Sequence, residues 1–147
     1  RYPRGAGTGI AAGTDLASIE IGKARVVRQG HELAIFSFGS TLSAAIPVAE
    51  SLDATLIDMR FIKPLDESLL RELAGTHTRF VSVEDNAVMG GAGSAVSEFF
   101  RSANIGVALL QLGLPDAYQE HASREQLLAE AGIDSAGILN AIKKRWV

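Results

Sequence analysis

The residues of this chain best placed to do chemistry lie in 81-VSVEDNAVMGGAGSAV-96, where a β-type apolar run meets two acids, then a glycine cluster, then a helix-like stretch. Strand, glycines and helix in that order build phosphate-cradling loops, because free amides and the positive end of the helix face the anion. A dinucleotide frame begun at Gly91 reads G-A-G-S-A-V and puts Val96 where close helix–strand packing needs a small residue. A frame from Gly90 loses its second glycine, and Gln111 stands near the place where a ribose-binding acid should close a strand. The cluster therefore reads as a helix entry made for tight backbone approach, to another domain or subunit, and not as a nucleotide site. Glu84-Asp85-Asn86 should end a parallel strand, the usual ligand edge of open α/β sheets. Acids ahead of a helix also complement its positive end, a role that needs no ligand.

Other candidates are sparser. His31, His77 and His121 fall in a turn, after a helix end and before a capping sequence, with no i, i+4 pair of the kind that holds a metal; they read as solvated surface residues. There is no Gly-x-Ser-x-Gly elbow and no P-loop lysine. The expectation is that the folded part carries no catalytic, cofactor-binding or metal-binding residue. In Arg1-Tyr2-Pro3-Arg4, Pro3 holds Tyr2 extended, so two arginines ride on a stiff backbone suited to a phosphate or carboxylate. Taken alone, such linker arginines read as solvated charges.

The elements that must position these groups follow from periodicity. Residues 1–20 are rich in Gly and Ala with neither a helical nor a strand period, and read as an interdomain linker; the folded unit is expected over 21–147. Strands are expected at 23–28, 32–38, 54–60, 79–84 and 107–112, and helices at 42–51, 67–74, 92–103, 123–131 and 135–145. Thr41 or Ser40 should cap the first helix, with Pro47 tolerated as a kink; Asp66 should cap the second and Gly75 end it. Ser123 and Gln126 fit a capping box. The first two strands are so close in sequence that an antiparallel pair is expected. The alternation beyond them predicts an α/β fold: a mainly parallel five-stranded sheet with one antiparallel edge strand and helices on both faces.

Composition narrows the class. A chain of 147 residues, 47% hydrophobic, can bury one core. Its net charge of −3 comes without a basic stripe, which argues against nucleic acid. No apolar run nears the roughly 20 residues of a membrane span. The absence of cysteine fits a reducing compartment, and a soluble, cytoplasmic protein is expected. A chain opening at Arg1 suggests a piece of something larger.

RYPRG (1–5), DMRFIKPLDESLL (58–70), VSVEDNAVMGGAGSAV (81–96), LGLPDAY (112–118) and REQLLAEAGIDSAGI (124–138) together resemble the C-terminal domain of the 1-deoxy-D-xylulose 5-phosphate synthases, a branch of the thiamin diphosphate-dependent transketolase family. The resemblance implies an enzyme that condenses pyruvate with glyceraldehyde 3-phosphate, losing carbon dioxide, to feed isoprenoid, thiamin and pyridoxal synthesis. It also implies that thiamin diphosphate and Mg²⁺ are held by preceding domains, that the enzyme is a homodimer, and that this segment is inactive alone. Arg4 is the residue it marks for the acceptor's phosphate, with Arg1 a supporting charge. Asp85 stands for a more usual Glu, and His121-Ala122-Ser123 lacks a glycine common in the family. The alternatives are the C-terminal half of a 2-oxoacid dehydrogenase β subunit, against which RYPRG speaks, and a non-catalytic interaction or nucleotide-binding module.

Overall fold

The structure is a computed structural model that describes residue 13 and residues 17–146. Arg1, Arg4 and most of the expected linker lie outside the described residues. The chain runs β1 (Arg25–Arg28), β2 (Leu33–Phe38), a 3₁₀ turn (Gly39–Thr41), α1 (Leu42–Ser51), β3 (Thr55–Asp58), α2 (Glu67–Ala74), β4 (Arg79–Ala87), α3 (Ala92–Ser102), β5 (Ala108–Leu114), α4 (Arg124–Glu130) and α5 (Ser135–Trp146). The sheet order is β1-β3-β2-β4-β5, with β1 antiparallel at one edge and every other pairing parallel.

Strand alternation sorts the core into two layers. Leu33 and Ile35 of β2, with Val81 and Val83 of β4, pack toward Ala45 and Val48 of α1 and Ile138 and Ile142 of α5. Ala34, Phe36, Phe38 and Phe80 point the other way, onto Leu70 and Leu73 of α2 and Val96, Phe99 and Phe100 of α3. All six residues of β2 are buried, which only a central strand with both faces covered can satisfy.

That burial corrects the expected pairing of β1 with β2. β1 is mostly exposed and pairs instead with β3, Arg25 opposite Asp58 and Val26 opposite Ile57. A charged, solvated strand cannot flank the buried β2, so the link over 29–32 carries the chain past the end of β3. His31 N donates to the Asp53 carbonyl at 2.7 Å and Gly30 N to Thr55 Oγ1 at 2.9 Å. Gly30 lies against the Asp53–Ala54 backbone so closely that a Cβ there would collide with it.

The second correction concerns the start of α1. Thr41 occupies the N-cap position, but its backbone is already helical and its side chain makes no capping bond. Gly39, at φ 68°, opens a 3₁₀ turn that runs into the helix, and Leu42 N bonds back to the Gly39 carbonyl. The two hydroxyls are thereby released: Thr41 Oγ1 meets Ser37 Oγ at 2.8 Å and the Val83 carbonyl at 3.1 Å, while Ser40 turns outward. Asp66 does cap α2, accepting from Leu69 N at 3.2 Å, Gly75 follows its last turn, and Ser123 and Gln126 form the reciprocal box ahead of α4. Among the described residues no helix is long and apolar enough to cross a membrane.

Candidate functional site

Sheet connectivity selects the site. β2 leads through α1 to β3 on one side, and β4 leads through α3 to β5 on the other, so the carboxyl ends of β2 and β4 flank a topological switch point. A cleft of about 710 Å³ opens there, bordered by Gly39 and Ser40 after β2, Arg60 after β3, Glu84 to Asn86 of β4, and α4. Phe38, Ile62, Leu114, Leu127 and Leu128 give it an apolar wall.

Alternation along β4 sends its two acids to different partners. Glu84 shares the face of Phe80 and points to α3, where its buried carboxylate accepts from Ala92 N at 2.7 Å and Gly93 N at 2.8 Å. The anion site that the glycine cluster resembled is therefore filled by the protein's own carboxylate. A Cβ on Gly91 would strike Glu84 Oε2, and one on Gly93 would reach Ser82 Oγ, so the glycines' tight approach is to this chain's own β4. Gly90 adopts φ 71°, a conformation glycine takes at no steric cost.

Asp85 faces the opposite layer and meets α4. Arg124 Nη2 lies 3.1 Å from Asp85 Oδ2 and 2.9 Å from Ser40 Oγ, and Ser40 Oγ donates to Asp85 Oδ2 at 3.0 Å. Sequence reasoning missed Ser40, Arg60 and Arg124. One signal was present: Arg124 directly follows the N-cap Ser123, where a cation opposes the helix dipole unless an acid outside the helix holds it. The Asp85 oxygen that accepts from Ser40 is also held by Arg124, which stabilises the carboxylate as an anion and weakens it as a base, so the trio is fitted to hold polar groups more than to activate Ser40 as a nucleophile.

The histidines lie elsewhere. His31 Nδ1 is 2.8 Å from Asp53 Oδ2, and His77 Nε2 is 2.8 Å from Thr55 Oγ1, both at the amino ends of the strands; exposed His121 follows β5. His77 corrects the expectation of a solvated ring, since it is half-buried between Thr55 and Thr76. Burial pushes its pKa down and the nearby His31 adds to this, against the Leu73 carbonyl, which raises it. A lowered folded pKa means that the unfolded chain binds more protons, so His77 adds stability that is complete above its unfolded value of ~6.5 and is lost as pH falls through the folded value. Stability measured by urea unfolding should therefore decline below about pH 6.5, and His77→Gln should flatten that decline.

The described residues do not fit thiamin diphosphate. The helix end that could take a diphosphate is occupied by Glu84, and among the described residues no group of three or more His, Cys, Asp or Glu could hold a metal ion.

Residues 22–138 match the family described as transketolase, C-terminal domain, and the chain belongs to it. Within that class, it is 57% identical to a 1-deoxy-D-xylulose-5-phosphate synthase from Pseudomonas aeruginosa (strain LESB58), over 99% of this chain and 23% of the relative. A synthase of the same name from Stenotrophomonas maltophilia is 54% identical, again over 99% of this chain and 23% of the relative. The chain thus spans about a quarter of the length of these relatives. A solved split-gene transketolase, an inactive β4 tetramer, superposes with a TM-score of 0.78 at 28% identity, covering 87% of this chain and 42% of that one.

Proposed function

We propose that this chain works as the C-terminal domain of a 1-deoxy-D-xylulose-5-phosphate synthase, with residues 1–20 as the linker from preceding domains and 21–147 as the domain itself. The observation that carries this reading is identity sustained at 57% across 99% of the chain to a protein of that name. The activity so assigned is the condensation of pyruvate with glyceraldehyde 3-phosphate, with loss of carbon dioxide, in a cytoplasmic homodimer that supplies isoprenoid, thiamin and pyridoxal precursors. Thiamin diphosphate and Mg²⁺ belong to the preceding domains in this reading, in keeping with a helix end already filled by Glu84. The segment is inactive by itself. A related split-gene chain described as an inactive β4 tetramer supports that view.

Arg4 is the substrate contact in this assignment, and Arg1 supports it. A dianionic phosphate is the strongest handle on a small aldehyde, and a guanidinium fork can grip two of its oxygens. Binding energy from that remote group goes into orienting the carbon that reacts. Domain exchange tests the whole reading: this chain replaces the matched segment of the Pseudomonas aeruginosa relative, and product formation by the purified chimera is assayed.

A further inference from the structure

We propose that a second pocket, at the amino ends of the strands, binds a free amino acid with an apolar side chain, its carboxylate held by Arg79 and its ammonium by Glu32. This goes beyond the synthase reading and does not rest on it. The pocket lies at the opposite end of the sheet from the switch-point cleft, between the starts of β2 and β4, the end of α1 and the last turns of α5. Leu33 opens β2 and stands opposite Arg79 of β4 in the parallel register, while Ile142 and Trp146 of α5, four residues apart, share one helix face. These apolar groups, with Leu52, line the pocket. Its volume of about 220 Å³ falls below the roughly 300–1,000 Å³ of pockets for drug-sized ligands, which limits the occupant to a molecule the size of one amino acid.

The charges select a zwitterion. The Glu32 carbonyl accepts from Thr78 N and Arg79 N, both at 3.1 Å, so the backbone fixes an acid and a cation side by side on the pocket's border. Their side chains nevertheless make no ion pair with each other, and among the described residues neither side chain has a hydrogen-bonding or ionic partner. Opposite charges that border one pocket and are left apart suit a ligand that carries both. Arg79 is half-buried, where a guanidinium gains from a counter-charge that the chain does not supply. Asp53, the other acid on the pocket, is already held by Arg28 Nη2 at 2.6 Å and His31 Nδ1 at 2.8 Å, which leaves Glu32 for the ammonium. Glu32 also sits at φ 56°, in the left-handed region that glycine or asparagine enters more readily, so a glutamate kept there points to use of its carboxylate.

Calorimetric titration of the 147-residue chain with L-leucine and with L-phenylalanine should show saturable binding of at least one. Trp146 is the only tryptophan of the chain and borders the pocket, so its emission should change with the same midpoint as the heat. The matching analogue without the ammonium (isocaproate or phenylpropionate), the one without the carboxylate (isoamylamine or phenethylamine), and glycine, which lacks the apolar body, should each bind at least about tenfold more weakly. Glu32→Gln should weaken the preferred amino acid by about tenfold and leave the ammonium-free analogue unchanged, and Arg79→Gln should do the same with the carboxylate-free amine as the unaffected ligand. The analogue series on the parent chain stands even if a variant does not fold. No saturable binding of either amino acid, an emission of Trp146 that does not follow the heat, or one-charge analogues that bind as tightly as the amino acid overturns the proposal.

Discussion

Glu84→Ala should lower the unfolding free energy by about 3 kcal/mol, the largest stability loss expected from any single change at the cleft. Glu84 is 3% exposed, and its carboxylate accepts two amide hydrogens, at 2.7 and 2.8 Å, from the first residues of α3. Hydrogen bonds to an ionised acceptor contribute about 1.5–3 kcal/mol each, and removing this acceptor strands two buried donors at the positive end of a helix. Water entering the space opposes part of the loss, which is why the expected figure sits below the sum. Glu84→Gln keeps an acceptor oxygen but no charge, so its loss should be about half as large. Urea unfolding of the two variants gives both numbers. A loss below about 1 kcal/mol for Glu84→Ala would mean that the amides find other partners.

The second large effect is on catalysis. In the chimeric synthase, Arg4→Ala should cut kcat/KM for glyceraldehyde 3-phosphate by about a hundredfold, equivalent to ~2.7 kcal/mol of lost phosphate binding. Pyruvate has no phosphate, and its KM should stay within about threefold. Arg4→Lys should recover part of the loss, since it restores the charge but not the bidentate fork. An equal loss for both substrates would remove Arg4 from the acceptor's phosphate and leave it a structural role.

Local pattern carried most of the architecture. Strand–helix alternation gave the parallel sheet, and Asp66 and the Ser123–Gln126 box marked two helix starts where the side chains do cap. Non-local competition decided the rest. β1 follows the exposed edge rather than its neighbour in sequence, because the fully buried β2 cannot border a charged strand. Thr41 and Ser40 both look like caps because the sequence cannot show that Gly39 starts a 3₁₀ turn that makes a side-chain cap unnecessary.

The acids at the end of β4 were visible, but not their division of labour. One residue of strand alternation gives Glu84 to α3 as a structural anion and leaves Asp85 to the cleft. Arg124 and Ser40 meet across 84 residues of chain, a distance over which no local spacing rule speaks. Arg60 falls within DMRFIKPLDESLL, where no local spacing gives it a role. Its left-handed backbone is a property of the fold, and only the structure reveals it.

Domain exchange is the most direct test of the proposed synthase role. With this chain in place of the matched C-terminal segment of the Pseudomonas aeruginosa synthase, the purified chimera should convert pyruvate and glyceraldehyde 3-phosphate to 1-deoxyxylulose 5-phosphate at a rate within about tenfold of the parent. A folded chimera that binds thiamin diphosphate yet forms no product would contradict it.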